Sequence, residues 1–130
     1  MEVFGSRWKN HWQRIAADWK SRVSDDDVVL IAGDTSWAMH LKEAQEDLDQ
    51  IRALPGKKII IRGNHDYWWE SAGKLNRMDA ENNMQYLYGS TAVLGDKDIA
   101  ICGTHGWVCP GDIHYQEDRD AKPYRRELLR

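Results

Sequence analysis

The stretch KKIIIRGNHDYWW, residues 57–69, decides the fold of this 130-residue chain. Its apolar run at 59–61 consists of β-branched residues without polar alternation, which predicts a strand that is covered on both faces, as in α/β sheets. In such sheets, ligands bind just beyond the carboxyl ends of the strands. Gly63 permits a sharp exit turn, so we expect Asn64 and His65 at the tip of this strand.

A second stretch of the same kind, VVLIAGD at residues 28–34, ends in Asp34. About 30 residues separate Asp34 from Asn64, which suits a strand, a crossover helix and a second, parallel strand. The intervening apolar residues recur at helical spacing: Leu41, Ala44, Leu48 and Ile51. A right-handed crossover puts both strand tips on one edge of the sheet. We therefore expect oxygens of Asp34 and Asn64 to share one cation or two neighbouring cations.

The rest of the chain predicts shorter elements. Ser36 is a plausible N-cap for the crossover helix, and Asp66 lies near the start of a short helix over 67–77. Short apolar segments at 84–88, 91–94 and 99–102, with turn residues at 89–90 and 95–98, predict an antiparallel meander. A last helix is expected over 122–130, with Pro123 in its first turn. We predict a single α/β domain over residues 1–130.

Composition narrows the class of function. Charged residues make up 30% of the chain and the net charge is −3, which argues against generic nucleic-acid binding. No apolar run approaches the ~20 residues of a membrane span, so we expect no membrane partner. Two cysteines do not make a disulfide framework, so we predict a reducing, cytoplasmic location.

The polar residues at the two predicted strand tips suit metal-assisted chemistry. One carboxylate, here Asp34, can bridge two divalent cations, Asn64 adds a carbonyl oxygen and His65 a ring nitrogen. Two cations ~3.5–4 Å apart suit phosphoester hydrolysis, and an imidazole can protonate the leaving alkoxide. Arg62 is a candidate phosphate contact or an ordinary exposed arginine. His105 follows another strand end and is a candidate contact at the edge of the site.

Three segments resemble the calcineurin-like metallophosphoesterases, in particular a bacterial branch: GDTSW at 33–37, RGNHDYWW at 62–69 and ICGTHGW at 101–107. The resemblance implies a four-layer α/β/β/α sandwich, a phosphate-ester substrate and two ions of manganese, iron or zinc. It also implies residue roles. Asp34 would bridge the metals, Asn64 would ligate one of them, His65 would face the phosphate as the catalytic histidine, and Asp66 would orient His65.

Two alternatives stay open. The family's first block, an Asp-x-His that follows an opening strand, does not occur ahead of GDTSW in this sequence, and Gly-His-x-His does not occur in it. We therefore expect an incomplete domain with an exposed sheet edge that favours self-association, and the first alternative is a catalytically incompetent fragment. The second is a small zinc-stabilised binding module, because four soft donors lie within 13 residues of one another: Cys102, His105, Cys109 and His114.

Overall fold

The structure is a computed structural model that describes residues 5–94 and 98–129, apart from the side chain of Arg7. In chain order it contains a 3-10 helix (Ser6–Trp8), α1 (His11–Arg22), β1 (Val28–Ile31), α2 (Leu41–Arg52), β2 (Lys57–Ile61), α3 (Ala72–Met78), β3 (Met84–Leu87), β4 (Ser90–Leu94), β5 (Ile99–Gly103) and α4 (Glu117–Leu128). Among these residues, no helix has the length and apolar character needed to cross a bilayer.

A three-stranded parallel sheet in the order β1-β2-β3 organises the fold. Ile60 pairs with Ile31 of β1 on one side and with Tyr86 of β3 on the other. The predicted strand–helix–strand unit is confirmed, because α2 connects two parallel strands. The prediction of an α/β fold is therefore confirmed as well.

The meander prediction was wrong for its first segment. β3 joins the parallel sheet, because α3 lies between β2 and β3 and carries the chain back in a crossover connection. The other two segments, β4 and β5, form an antiparallel pair. The predicted turn at 95–98 lies, except for Asp98, outside the described residues, as do residue 130 and the first four residues.

Alternate residues of β2 enter two different clusters of buried side chains. Ile60 packs with Leu48 of α2 and Leu75 of α3 on one face of the sheet. Ile59 packs on the other face with Ala92 of β4. This alternation produces a helix–sheet–sheet layering, and each buried apolar side chain contributes about 1.5–3 kcal/mol. The coverage of β2 on both faces is confirmed.

β1 is less covered than the sequence suggested. Among the described residues it pairs with β2 alone, and its Leu30 is 62% exposed. In the described residues β1 is thus an edge strand, in agreement with the expected exposed sheet edge, although its apolar run is less covered than that of β2. Self-association through this edge stays a prediction, as does the single domain over residues 1–130.

Three helix starts differ from the predictions. α2 begins after His40, whose backbone N–H donates to the carboxylate of Glu43, so Ser36 is not its N-cap. α3 is capped by Ser71 rather than lying close to Asp66. α4 begins at Glu117, which puts Pro123 inside the helix instead of in its first turn.

Candidate functional site

The loops that follow β1 and β2 meet at the carboxyl edge of the sheet. Gly33 has φ +92°, and a Cβ atom at this position would overlap the backbone of Gly63. A Cβ atom at Gly63 would in turn overlap the carboxylate and backbone nitrogen of Asp34. Both glycines therefore permit an approach that any side chain would prevent. Asp34 itself has φ +53°, a left-handed conformation that aspartate tolerates better than most residues.

The buried carboxylate of Asp66 holds these two loops together. Its Oδ2 accepts hydrogen bonds from the backbone N–H groups of Asp34 and Gly63, both at 2.8 Å. Its Oδ1 accepts from the backbone N–H and the hydroxyl of Thr35 and from the indole N–H of Trp68, at 2.8, 3.0 and 2.9 Å. Asp66 is fully buried, and these five donors satisfy its oxygens.

Asp34, Asn64 and His65 form a connected group, which we call the site rim. Asp34 Oδ1 accepts a hydrogen bond from the backbone N–H of His65 at 2.9 Å, and Asp34 Oδ2 lies 3.2 Å from His65 Nδ1. Asn64 Nδ2 lies 3.0 Å from Nδ1 and 3.2 Å from Nε2 of the same ring. The tautomer with Nδ1–H donated to Asp34 leaves Nε2 as the acceptor for the Asn64 amide. Asp34 and His65 are both about half exposed.

The surroundings of Asp34 favour its ionised form. The backbone N–H of His65 holds the pKa of Asp34 below its usual range, against the opposing effect of partial burial. The ring of His65 and the charge of His105 lower the pKa of Asp34 further. Asp34 is therefore a carboxylate at neutral pH and is suited to bind a cation.

A cavity of about 600 Å³ opens beside the rim, and we call it the rim cavity. Asp34 and Asn64 line it together with Arg62 and His105, so four of the six predicted site residues lie around one space. The guanidinium carbon of Arg62 lies 5.9 Å from the centre of the Tyr88 ring. Arg62 Nε is buried and has no hydrogen-bond partner among the described residues. His65 does not line this cavity, but it contacts Asp34 and Asn64, which do.

Sequence reasoning missed the far wall of the rim cavity, which Trp107, Arg119 and Asp120 form. The buried carboxylate of Asp120 accepts hydrogen bonds from the Trp107 indole, from the Arg119 guanidinium and from the backbone N–H of Gln116. It thereby fixes the loop after β5 against the start of α4. The acidic residues in the first turn of α4 were the available signal, because such residues favour helix N-termini.

Asp66 lies behind the rim rather than in it. Its hydrogen bonds in the described residues go to the two loops and to Trp68, and none goes to the ring of His65. Any effect of Asp66 on the imidazole therefore passes through the backbone that it anchors.

The rim supplies only a share of a dinuclear metal centre. Asp34 and Asn64 offer the carboxylate and amide oxygens that hard divalent cations accept, with a histidine nitrogen nearby. Within residues 5–94 and 98–129, however, no three His, Cys, Asp or Glu side chains come together to hold a metal ion. The described residues thus fit a contribution to one cation and do not complete a site for two.

The zinc-module alternative is wrong for the same reason, because its four donors do not converge in the described part of the chain. Cys102 faces Thr91 across the β4–β5 pair, with Sγ 3.3 Å from the hydroxyl. Cys109 Sγ points to the carbonyl of Trp107, and His105 Nδ1 contacts the carbonyl of Gly106.

Fold and rim together define an α/β protein with an oxygen-rich, metal-compatible site at the carboxyl ends of parallel strands. The family model of the calcineurin-like phosphoesterases matches residues 6–129, nearly the whole chain. The chain therefore belongs to the calcineurin-like phosphoesterase family, and the predicted resemblance is confirmed. No curated protein and no solved structure matches the chain. Membership indicates metal-dependent hydrolysis of phosphate esters as the class of activity.

Proposed function

We propose that this chain hydrolyses a phosphate ester at the site rim. The single observation that carries the proposal is the contact between the Asp34 carboxylate and His65 Nδ1 at 3.2 Å, on the same edge where Asn64 and Arg62 line the rim cavity. Oxygens suited to a cation and a cationic side chain thus lie around one space, and the proposed proton-transfer group contacts Asp34 at its border.

Asp34 and Asn64 would hold a divalent cation at the rim, which we propose to be manganese, iron or zinc. When bound, such a cation polarises the phosphoryl group and lowers the pKa of bound water. The second metal of the family's dinuclear site needs donors beyond those that the described residues bring together.

His65 is the proposed catalytic residue for the leaving group. With Nδ1–H donated to Asp34, Nε2 is the basic nitrogen, which takes up a proton from solvent. It donates this proton to the alkoxide that departs as water forms a bond to phosphorus. The negative charge of Asp34 stabilises the protonated ring during this transfer. Asp66 is a positioning residue, because it holds the backbone of Asp34 and Gly63 in place.

Arg62 is the proposed partner for the phosphate oxygens. The residue lines the rim cavity, and its buried Nε has no hydrogen-bond partner in the described residues. An anion in the cavity would be attracted by the positive charge of this guanidinium, which forms strong, charge-assisted hydrogen bonds with phosphate oxygens.

A second candidate function is binding of a phosphate ester without turnover. The observation that favours it is the shortage of metal donors in the described residues, because a cation held by two side chains binds weakly. The predicted cytoplasmic location is independent of both candidates and stays a prediction.

Calorimetric titration with Mn²⁺ and hydrolysis of bis(p-nitrophenyl) phosphate separate these candidates. We expect Asp34→Asn to lower both Mn²⁺ affinity and turnover. We expect His65→Gln to lower kcat about a hundredfold while Mn²⁺ still binds. Asp112→Asn is the matched control, since this exposed carboxylate accepts one local hydrogen bond from the His114 backbone.

Two results would decide against the hydrolytic proposal. Turnover that survives Asp34→Asn at the parent rate contradicts the assignment of the rim. Mn²⁺ binding by the parent chain with no turnover of the diester favours the second candidate.

A further inference from the structure

Trp37 is the most exposed of the seven tryptophans, at 67%, although tryptophan is on average a highly buried residue. It lies three residues after Asp34 in the loop between β1 and α2. Its ring stacks on the imidazole of His65, with centroids 6.2 Å apart and planes inclined by 24°. An exposed indole thus lies beside the ring to which the proposed function assigns the proton transfer.

A second aromatic side chain contacts the same histidine. Tyr67 meets the His65 ring edge-on, with centroids 6.2 Å apart and planes at 85°, and it is also more than half exposed. Exposing two large rings at one place forfeits the free energy that their burial would contribute. Trp8 and Trp107 also contact a histidine ring and are partly exposed, but Trp37 is more exposed than either of them.

Trp37 also lines a cleft of about 320 Å³, which we call the Trp37 cleft. Trp12, Gln50 and Ile51 form part of its wall, between α1 and α2. Consecutive residues of one loop line both spaces, because Asp34 borders the rim cavity and Thr35 borders the cleft. A volume of this size is at the lower end of small-molecule sites and accommodates one ring system.

We propose that Trp37 binds the aromatic part of the substrate, an inference that rests on the proposed function. The substrate class is then a phosphate ester that carries an aryl or nucleobase group, with its phosphate at the rim and its planar ring on the indole of Trp37. Stacking on an aromatic side chain tolerates different ring systems, because each of them has a π-face. Trp37 therefore selects for aromatic character rather than for one particular ring.

The test compares two non-hydrolysable ligands of similar size in calorimetric titrations of the full chain with Mn²⁺ present. Phenylphosphonate has a planar π-system and cyclohexylphosphonate does not, so their affinity ratio reports stacking beyond simple apolar burial. We expect phenylphosphonate to bind about fivefold more tightly. Trp37→Leu should bring the ratio close to one, whereas Trp37→Phe should retain part of the preference.

Trp8→Leu is the matched control, because Trp8 is 45% exposed and lines neither the Trp37 cleft nor the rim cavity. This variant should keep the parent ratio, and circular dichroism verifies that each variant is folded. Equal affinities in the parent, absence of binding for both phosphonates, or a preference that survives Trp37→Leu overturns the inference.

The outcome is separable from that of the proposed function, because the affinity ratio requires no turnover. A clear phenyl preference without hydrolysis contradicts the proposed function alone. Hydrolysis of the diester with no phenyl preference contradicts the role of Trp37 alone.

Discussion

Replacing Asp66 by asparagine tests how the two loops of the site are held together. The amide substitutes an N–H donor group for one of the two acceptor oxygens. Two backbone N–H groups face Oδ2, and three donors from Thr35 and Trp68 face Oδ1. Whichever oxygen is replaced, at least two donors lose their acceptor and meet another donor.

The magnitude follows from these contacts. Hydrogen bonds to a charged group contribute about 1.5–3 kcal/mol each, so the loss of two amounts to about 3–6 kcal/mol. A small domain has a free energy of unfolding of about 5–15 kcal/mol. Asp66→Asn therefore removes a large share of the stability, even though only one atom of the side chain changes its chemistry.

Urea unfolding followed by tryptophan fluorescence measures this loss. With a slope of about 1–3 kcal/mol/M, a loss of 3 kcal/mol lowers the midpoint by roughly 1–3 M. Asp112→Asn is the matched control and should change stability by less than about 0.5 kcal/mol, because Asp112 is exposed. The reasoning would be refuted if the free energy of unfolding of Asp66→Asn lay within about 1 kcal/mol of that of the parent, in an assay in which Asp112→Asn is unchanged.

Two further predictions use the same unfolding assay. Gly63→Ala forces a Cβ atom into Asp34 and should lower the free energy of unfolding by about 2 kcal/mol or more. Gly73 lies in α3 with room for a methyl group, so Gly73→Ala should raise the free energy of unfolding by about 0.5–1 kcal/mol. Equal effects of the two substitutions would contradict the close approach of the two loops. The guanidinium of Arg119 holds the pKa of Asp120 below its ordinary value of 3.8. The stability that this carboxylate contributes is therefore complete above pH 3.8, and it is lost as the pH falls toward the lower pKa of the folded state. Asp120→Asn should therefore lower the urea midpoint at pH 7, with a difference from the parent that narrows below pH 4; a difference that stays constant down to pH 3 would contradict it.

The elements that sequence patterns predicted well are those in which neighbouring residues carry the signal. The apolar run before Arg62 is a buried central strand, and the periodic residues Ala44, Leu48 and Ile51 are the buried side of α2. Because both features repeat locally, strand and helix periods were enough to predict a βαβ unit. The shared edge of Asp34 and Asn64 then followed from the handedness of the crossover.

The contacts that local patterns did not reveal join distant parts of the chain. Asp66 bonds to Asp34 and Thr35 over sequence separations of 32 and 31 residues, and Trp107 bonds to Asp120 over 13. No period or turn preference encodes such pairs, because each is set by how the elements pack. On the basis of family resemblance, Asp66 was expected to orient the ring of His65. Its actual hydrogen-bond partners are visible only in the three-dimensional structure.

The rim shows why a buried residue can govern an exposed site. Asp34 adopts a left-handed backbone conformation that costs a non-glycine residue roughly 1 kcal/mol, and it needs a fixed position to contact His65. Asp66 offsets this cost by accepting the Asp34 backbone N–H inside the fold, where water does not compete. The partly exposed oxygens of Asp34 are thereby oriented by contacts within the protein itself. Asp66 therefore holds the rim in place, and a substitution at this position should disturb the rim without removing any atom of Asp34, Asn64 or His65.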